Sequence, residues 1–468
     1  MVLNALGRHL ALVGFMGAGK TTLAAELGRR LSRPVIDIDR EVEARYRDPI
    51  PQIFEEHGEQ GFRRIEAYAI GAAAERRHPS ILDLGGGAVT FRDNHGTLAA
   101  DAFTVFLEVD VETAWERACE SDRPLAQDEQ VFRRLFAERQ PLYHEVADTT
   151  VASGDVDGAI LAAAGVHHER GSLARLGELV PGDGPVALVG DATVLGIHGA
   201  VAQRALGDRL QSAHELPVGE QAKQLAVVER LWSELRLDRG GTIVALGGGA
   251  ATDAAGFAAA TYLRGVPWVT VPTTLVGQVD AGIGGKTALD LPQGKNLAGA
   301  FHWPDRVVID EALLETLPER ERRQGQAELV KTELLAGRNL DVRGAAAYKA
   351  AICVGDPHDH GRRQWLNLGH TFAHALEAAA GFELAHGEAV ALGLLAALRL
   401  SGRDTALVEE TLDPQPVRVD RERAWEALLR DKKRTGEQIN LVLLGDHGPV
   451  LEARPQAEVR AALDSLIL

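Results

Sequence analysis

A phosphate-binding loop near the N-terminus restricts most strongly what this chain can fold into. The segment 14–21 reads Gly-Phe-Met-Gly-Ala-Gly-Lys-Thr and fits the pattern G-x-x-x-x-G-K-[ST]. It follows an apolar run at 10–13, which predicts a strand, and precedes an amphipathic segment at 21–31, which predicts a helix. Such a loop aims backbone N–H groups and a helix N-terminus at phosphate oxygens, so we expect a nucleotide-binding domain built on a parallel β-sheet.

The side chains of this loop suit a nucleoside triphosphate. Lys20 would reach the β- and γ-phosphates, and Thr21 would hold Mg²⁺. The other loop positions that we predict to bind the nucleotide are Gly17, Ala18, Gly19 and Thr22. A chance glycine-rich turn is the alternative, and the flanking strand and helix disfavour it.

The length and composition of the chain limit its number of domains, its partners and its cellular compartment. With 468 residues the chain predicts two or three domains, and its net charge of −17 argues against nucleic acid and anionic membranes as partners. Two cysteines cannot build a disulfide framework, which favours the reducing cytoplasm. The N-terminus lacks a signal-peptide layout, and the most apolar stretch, 389–400, is too short to span a membrane.

Further residues among the first 165 positions limit the kinds of substrate that this nucleotide site could serve. Asp37 and Asp39 alternate at the end of a predicted strand at 35–38, so at least one of them can face the phosphate pocket. The alternative is that this pair caps the next helix. Three glycines at 85–87 allow the backbone to approach a small ligand closely. The arginines at 63, 123 and 139 would balance an anionic substrate and the charge of the transition state.

These motifs, in this order, resemble shikimate kinase over about residues 9–160. The resemblance implies ATP-dependent phosphorylation of shikimate to shikimate 3-phosphate. It places Asp37 on the Mg²⁺ and catalytic side, Arg123 on the transferring phosphate and Arg117 against the adenine. The residues that it implies for shikimate binding are Asp39, Arg63, Gly86 and Arg139.

A second set of motifs begins after a stretch at 166–184 that reads as a linker. A strand–glycine turn–helix start at 244–253 is able to cradle a pyrophosphate, although a tight structural turn is an equal alternative. His370 and His374 share one face of a predicted helix, and His386 and Glu328 are candidate partners. Two histidines and one carboxylate with an open position form a catalytic Zn²⁺ site. Lysines and arginines beside glycines at 262–297 suit a phosphate-bearing substrate.

The motif order P-T-T-L, G-G-K-T, G-K-N-L, G-x-A-E-x-x-K and L-N-x-G-H-T-x-x-H-A resembles 3-dehydroquinate synthase over about residues 185–445. The resemblance implies conversion of 3-deoxy-D-arabino-heptulosonate 7-phosphate to 3-dehydroquinate with release of phosphate, using NAD and a Zn²⁺ or Co²⁺ ion. It implies Glu328, His370 and His386 as metal ligands and His374 as a substrate-side residue.

The remaining residues of this site divide into three groups by the same resemblance. The implied catalytic residues are Asp280, Lys286, Lys331, Lys349 and Arg363. The implied NAD contacts are Asp191, Glu220, Lys223, Gly248, Gly249, Asp253, Thr273, Thr274, Lys286 and Lys295. The implied contacts of the heptulosonate phosphate are Arg264, Asn296, Asn367 and one of Lys432 and Lys433.

The sequence departs from the synthase pattern in several places. Thr193 and Asp290 stand where we expect asparagines, Ala281-Gly282 stands where we expect two serines, and only 18 positions separate Lys331 from Lys349. Two alternatives therefore stay open: a weakened or non-catalytic synthase-like module fused to an active kinase, and a related cyclitol synthase or polyol dehydrogenase.

We expect an α/β protein with three domains. They are a P-loop kinase domain at 1–165 with helices on both faces of its sheet, an NAD-binding α/β domain at 185–312 and a mostly helical metal- and substrate-binding domain at 313–468. The synthase resemblance implies a homodimer. The partners that we expect are small-molecule substrates, with no nucleic acid and no membrane.

Overall fold

The chain divides into two units in the computed structural model of the protein, Met1–Val166 and His167–Leu468. The structure describes residues 4–119, 127–381, 383–430, 434–435 and 438–468. Each unit contains its own mainly parallel sheet, which confirms the predicted α/β class.

The first unit is built on a five-stranded parallel sheet with the order β2-β3-β1-β4-β5, whose strands are β1 (His9–Val13), β2 (Val35–Asp37), β3 (Ile81–Asp83), β4 (Ala102–Glu108) and β5 (Thr149–Ala152). Every residue of the central strand β1 is buried, as expected for a strand covered on both faces. The helices are α1 (Lys20–Leu31), α2 (Ile38–Tyr46), α3 (Ile50–Ala74), α4 (Arg92–Asp101), α5 (Val111–Ala118), α6 (Glu129–Val146) and α7 (Val156–Ala163).

A six-stranded sheet forms the centre of the second unit. Its strands are β6 (Val166–His168), β7 (Val186–Asp191), β8 (Leu210–Leu216), β9 (Thr242–Gly247), β10 (Trp268–Pro272) and β13 (Arg306–Ile309), in the order β6-β13-β10-β9-β7-β8. The stretch 166–184, predicted as a linker, contains β6 and two short helical segments whose leucines are buried. It therefore contributes to the packed core of this unit.

Beyond the sheet, the second unit carries a hairpin of β11 (Lys286–Leu291) and β12 (Gly294–Phe301) and a mostly helical C-terminal part. The helices of the unit are α8 (Leu176–Leu179), α9 (Ala192–Val194), α10 (Ala200–Leu206), α11 (Leu225–Glu234), α12 (Gly249–Thr261), α13 (Glu319–Ala336), α14 (Val342–Gly355), α15 (His370–Ala379), α16 (His386–Leu400), α17 (Ala406–Leu412), α18 (Arg421–Arg430) and α19 (Gln456–Asp464).

An antiparallel sheet of β14 (Arg434–Thr435), β15 (Gln438–Gly445) and β16 (Gly448–Pro455) packs in this part, which was predicted to be mostly helical. The segment 389–400, the most apolar stretch of the sequence, forms most of α16 and lies in the core against α15. Among the described residues, no helix combines the length and the apolar character that a membrane crossing needs.

Candidate active sites

The phosphate loop adopts a backbone conformation that depends on its glycines. Gly14, Gly17 and Gly19 all have positive φ, and α1 begins at the next residue, Lys20. A Cβ at Gly17 would lie 2.4 Å from the carbonyl oxygen of Ala114, so a side chain there would collide with the neighbouring backbone. The glycines therefore allow the loop to wrap around the N-terminus of α1, where backbone N–H groups face an anion.

A cavity of about 250 Å³ opens at this loop and is lined by Gly17, Gly19, Lys20, Thr21, Thr22, Arg117 and Ala118. The Lys20 ammonium is buried and donates to the carbonyl oxygens of Gly14 at 2.9 Å and Phe15 at 3.2 Å. Arg117 donates to the carbonyl of Gly17 at 3.2 Å, which ties its guanidinium to the rim of the cavity. Of the seven described residues predicted to bind the nucleotide, six line this space and Ala18 does not.

The two aspartates at the end of β2 and just after it take different positions. The Asp37 carboxylate accepts the N–H of Arg40 at 3.2 Å and so caps α2, as the capping interpretation predicts. Asp39 lies in the first turn of α2 and faces the triple glycine, because a Cβ at Gly85 would lie 3.0 Å from its Oδ1. The missing side chain at Gly85 leaves room beside this carboxylate.

Two buried guanidinium groups border the triple glycine. Arg63 on α3 donates to Glu66 Oε2 at 2.6 Å, and its Nη2 lies only 1.9 Å from where a Cβ of Gly87 would be. Arg139 on α6 donates to the carbonyl of Gly86 at 3.3 Å. The predicted shikimate residues Asp39, Arg63, Gly86 and Arg139 therefore come together around residues 85–87.

Glu66 is a residue of this site to which the sequence analysis gave no role. Its side chain is fully buried, and its Oε1 has no hydrogen-bond partner among the described residues. Burial raises the pKa of Glu66 to about 6, against the opposing effect of the Arg63 guanidinium. The sequence 62–66, Phe-Arg-Arg-Ile-Glu, could have indicated this role, because residues three positions apart on a helix are neighbours and Glu66 therefore lies beside Arg63. Arg123, the predicted phosphate-binding arginine, lies outside the described residues.

The second unit contains a group of potential metal ligands formed by Glu328, His370 and His386. One ligand atom from each lies within 4.8 Å of the others, and no further group of this kind occurs in the part of the chain that the structure describes. His386 Nε2 is 3.0 Å and His370 Nε2 is 3.4 Å from Glu328 Oε1. This donor set, two imidazole nitrogens and a carboxylate, fits a catalytic zinc site.

The metal-binding group is assembled at three helices. Glu328 lies inside α13 and is fully buried, whereas His370 and His386 are the first residues of α15 and α16. Burial opposes ionisation of Glu328, but Lys331 and His370 hold the pKa of its carboxyl well below the usual value. Glu328 is therefore an anion, as a metal ligand must be.

His374 lies beside this group and is not a member of it. Its ring centroid is 5.5 Å from that of His370, and its side chain is exposed. A residue with no role in the sequence analysis, Glu377, instead accepts a hydrogen bond from Nδ1 of His386 at 3.2 Å.

Two lysines converge on Asp280. Lys349 Nζ lies 2.7 Å and Lys331 Nζ 3.5 Å from its Oδ1. Burial raises the pKa of Asp280, but the two ammonium groups outweigh burial and hold the pKa below its usual value. The short spacing between the lysines thus brings both of them to one carboxylate.

A cavity of about 580 Å³ lies beside these residues, and its polar lining consists of Asp253, Asp280, Lys286, Thr287, Asn296, Lys349 and Arg363. Lys286 pairs with Asp359 at 2.5 Å, and Arg363 donates to the carbonyl of Gly284 at 2.7 Å. Asp359 had no predicted role. Three cations, Lys286, Lys349 and Arg363, face this cavity against two carboxylates, and they suit an anionic ligand.

The predicted NAD residues lie around the N-terminus of α12. Gly248 and Gly249 begin this helix, and Asp191 caps α9 by accepting the N–H of Val194 at 3.0 Å. Thr274 Oγ1 accepts the N–H of Gly277 at 3.1 Å, and its neighbour Thr273 is buried.

Lys223 connects this region with the hairpin. Its ammonium pairs with Asp253 at 2.8 Å and donates to the side chain of Asn296, while Lys295 lies 3.6 Å from Glu220. Asp290, one of the departures from the synthase pattern, accepts the N–H of Asn296 at 2.8 Å. Thr193, another departure, lies in α9 two positions after Asp191.

Some predicted substrate residues are not brought into the 580 Å³ cavity. Arg264 is exposed, with a left-handed backbone, and does not line it. Asn367 ends a 3₁₀ helix three positions before His370 and is half-buried. Lys432 and Lys433 lie outside the described residues.

Comparison with known proteins defines the class to which these two sites belong. Residues 16–163 match the family model of shikimate kinase, residues 213–324 that of the 3-dehydroquinate synthase N-terminal domain, and residues 307–434 that of its C-terminal domain. The chain thus joins a kinase and a synthase of two known families.

One relative spans both halves. The bifunctional shikimate kinase/3-dehydroquinate synthase of Thermotoga maritima is 33% identical over 491 residues, which cover 96% of this chain and 98% of that protein. The chain belongs to the bifunctional shikimate kinase/3-dehydroquinate synthase family.

Two further proteins resemble the second unit. The 3-dehydroquinate synthase of Symbiobacterium thermophilum is 44% identical over 270 residues, covering 51% of this chain and 75% of that protein. The structure of 2-epi-5-epi-valiolone synthase from Streptomyces hygroscopicus with NAD⁺ and Zn²⁺ bound aligns with a TM-score of 0.53 at 26% identity, covering 64% of this chain and 96% of that one.

Proposed function

We propose that the chain catalyses two reactions of one biosynthetic route at separate sites. The first unit phosphorylates shikimate with ATP to give shikimate 3-phosphate. The second converts 3-deoxy-D-arabino-heptulosonate 7-phosphate to 3-dehydroquinate and releases phosphate. The observation that carries this proposal is the presence in one chain of the phosphate loop with Lys20 and of the metal-binding group Glu328, His370 and His386.

In the kinase site, the loop cavity takes the nucleotide. The backbone N–H groups at the start of α1 and the Lys20 ammonium face its phosphates, and Thr21 and Asp37 stand on the Mg²⁺ side. Arg117 at the rim is the adenine contact, and Arg123 acts on the transferring phosphate.

The shikimate site is the space around the triple glycine. Arg63 and Arg139 are buried cations that neutralise the carboxylate of shikimate, and Asp39 accepts hydrogen bonds from the shikimate hydroxyl groups. Gly86 presents backbone where the ring lies. Glu66 keeps the Arg63 guanidinium in place through the 2.6 Å ion pair.

In the synthase site, Glu328, His370 and His386 would hold Zn²⁺ or Co²⁺, and the zinc-bound valiolone synthase structure supports this. When bound, such an ion supplies Lewis acidity that lowers the pKa of a coordinated substrate hydroxyl. The cations that line the neighbouring cavity bind the carboxylate and phosphate of the substrate. Asp280 is a candidate for moving protons because Lys331 and Lys349 keep it ionised.

NAD would lie across the N-terminus of α12. The glycines at 248 and 249 leave its backbone open to the pyrophosphate, and Lys223, Glu220, Asp191, Asp253 and the threonines at 273 and 274 surround this helix end. Lys223 also donates to Asn296, which would couple the nucleotide to the substrate side.

The two alternative functions are less well supported. A non-catalytic synthase-like module would leave the cluster of Asp280, Lys331 and Lys349 without a role. That cluster is complete despite the short spacing of its lysines. A cyclitol synthase is the weaker assignment because the 3-dehydroquinate synthase relative shares 44% identity, against 26% for the valiolone synthase.

The organisation of the working protein follows from these assignments. We place the kinase at 1–165, the NAD-binding part at 185–312 and the metal- and substrate-binding part at 313–468, in a homodimer formed through the synthase half. Neither described cysteine is in a disulfide, as suits the cytoplasm.

The deciding experiment is a two-substrate assay on the purified full-length chain. We expect ADP formation that requires both shikimate and Mg·ATP, and phosphate release from the heptulosonate phosphate that requires NAD and divalent metal. Loss of either dependence would refute the corresponding half of the proposal.

A further inference from the structure

The orientation of His386 depends on its hydrogen bonds more than on packing. Its side chain remains 38% exposed, whereas that of Glu328 is fully buried. It is the first residue of α16, so no preceding turn of that helix restricts its side-chain rotamer. A half-exposed imidazole keeps several rotamers open, and its partners must select one of them.

Glu377 holds the nitrogen of His386 that faces away from the metal-binding group. Glu377 Oε1 is 3.2 Å from Nδ1, and Glu328 Oε1 is 3.0 Å from Nε2. The two ring nitrogens of an imidazole point in divergent directions, so Glu377 does not reach an ion held at Nε2. It is accordingly absent from the ligand group.

The position of Glu377 would be unfavourable without such a role. Its side chain is only 7% exposed and lies on α15 beside Leu376, a residue of the main helical core. Burying a carboxylate costs free energy unless a donor satisfies it, and His386 is the donor here. His374 and Lys295 are the other charged or titratable groups that act on Glu377.

The other histidine of the group has an equivalent contact. Nδ1 of His370 lies 3.1 Å from the carbonyl oxygen of Leu368. Each imidazole therefore has an acceptor for a proton on Nδ1, and in the neutral ring that would bind a metal this leaves the lone pair of Nε2 for the ion. An acceptor on the far nitrogen also raises the basicity of the ligand.

We infer that Glu377 is a positioning residue that accepts the Nδ1 proton of His386 and so presents Nε2 to the metal ion. This inference rests on the proposed metal site and adds a fourth residue, which no comparison assigns, to its three ligands. Glu377 acts through His386 and touches neither metal nor substrate.

The test measures metal affinity of the full-length chain, with Zn²⁺ and Co²⁺ titrated against a chromophoric chelator. Glu377→Ala should weaken binding by about 10- to 100-fold and shift the visible absorption of the Co²⁺ form. Glu377→Gln keeps an acceptor of the same shape, so it should retain the spectrum and weaken binding by only a few-fold, roughly 3- to 5-fold. Glu388→Ala, which removes an exposed carboxylate two positions from His386, is the matched control and should bind like wild type.

The outcomes separate the two claims. If wild type binds neither ion, the proposed metal site is wrong. If wild type binds and Glu377→Ala binds within twofold of it with an unchanged Co²⁺ spectrum, the role of Glu377 is wrong. Shikimate kinase activity and the thermal melt check folding. If Glu377→Ala does not fold, the Gln variant decides through the Nδ1–H resonance of His386 in the zinc form, which must shift relative to wild type if Glu377 holds that proton.

Discussion

The ammonium nitrogen of Lys349 lies 2.7 Å from Oδ1 of Asp280, although the two residues are 69 positions apart in the chain. Lys331, on the preceding helix, reaches the same oxygen at 3.5 Å. The lysines come from α13 and α14, which are joined by only the residues 337–341. A short helical hairpin is therefore sufficient to complete this charge cluster.

Removing the carboxylate of this cluster should cost both stability and synthase activity. Asp280→Asn removes the carboxylate that pairs with Lys349 at 2.7 Å and leaves Lys331, which is 1% exposed, with Glu328 as its remaining ion-pair partner. Breaking a buried ion pair in this way costs about 3 kcal/mol. We expect a loss of that size in denaturant unfolding of the second unit, with kinase activity retained. Asp208→Asn, at an exposed position, is the control, and equal stability of the two variants would contradict the expectation.

The two activities should be separable by single substitutions. Lys20→Ala removes the ammonium at the phosphate loop and should lower shikimate phosphorylation by about 100-fold or more while synthase activity persists. His370→Ala removes a metal ligand and should have the reverse effect. Both rates are measured on the same preparation of each variant. If either substitution abolished both activities, independent sites would be the wrong description.

Gly17→Ala should disable the kinase by collision and not merely by backbone strain. The new Cβ would lie 2.4 Å from the carbonyl oxygen of Ala114. Gly154→Ala is the matched control, since Gly154 has nearly the same φ, 84° against 80°, but nothing within 4 Å of a Cβ. The left-handed conformation alone costs each variant about 1–2 kcal/mol. We expect ATP binding, measured by calorimetry, to be lost in Gly17→Ala and kept in Gly154→Ala.

The stability of the first unit should depend on pH through Glu66. Burial raises the pKa of Glu66 from 4.5 to about 6, so its contribution to stability is complete below pH 4.5 and is lost as the pH rises through 6. This shift corresponds to about 2 kcal/mol. Between pH 4.5 and 7, without shikimate, wild type should lose about that much more unfolding free energy than Glu66→Gln. Parallel urea-unfolding profiles of the two proteins would show that the pKa is not shifted.

Much of both sites could be predicted because their motifs are local. The phosphate loop needs a strand, a glycine turn and a helix in direct succession, and all three occur at 9–31. The capping contact of Asp37 follows from the same short-range pattern. The conformation of this loop is predictable from local sequence because neighbouring residues of the turn set it.

Several residues without a predicted role act through contacts that exist only in the folded chain. Asp359 pairs with Lys286, which is 73 positions away in the chain, and the sequence around Asp359 does not indicate that pair. Glu377 lies in a largely apolar helix, α15. From sequence alone, a glutamate there would be assigned to the exposed face, and only the packing of α16 shows that it is buried. The stretch 166–184 reads as a linker from its turn residues, yet its leucines pack onto a sheet formed by later strands.

The loop between α13 and α14 is a position at which residues could be inserted into this protein. Gly337 ends α13 with a left-handed φ of 66°, and Asp341 caps α14, so each helix is terminated by its own residues. Doubling a flexible loop costs only about 0.6 kcal/mol of closure entropy. Residues added at the exposed positions 338–339 would lengthen a surface loop and leave Lys331 and Lys349 on their helices. An epitope tag or fluorescent label inserted there would report on the synthase half without entering its active site.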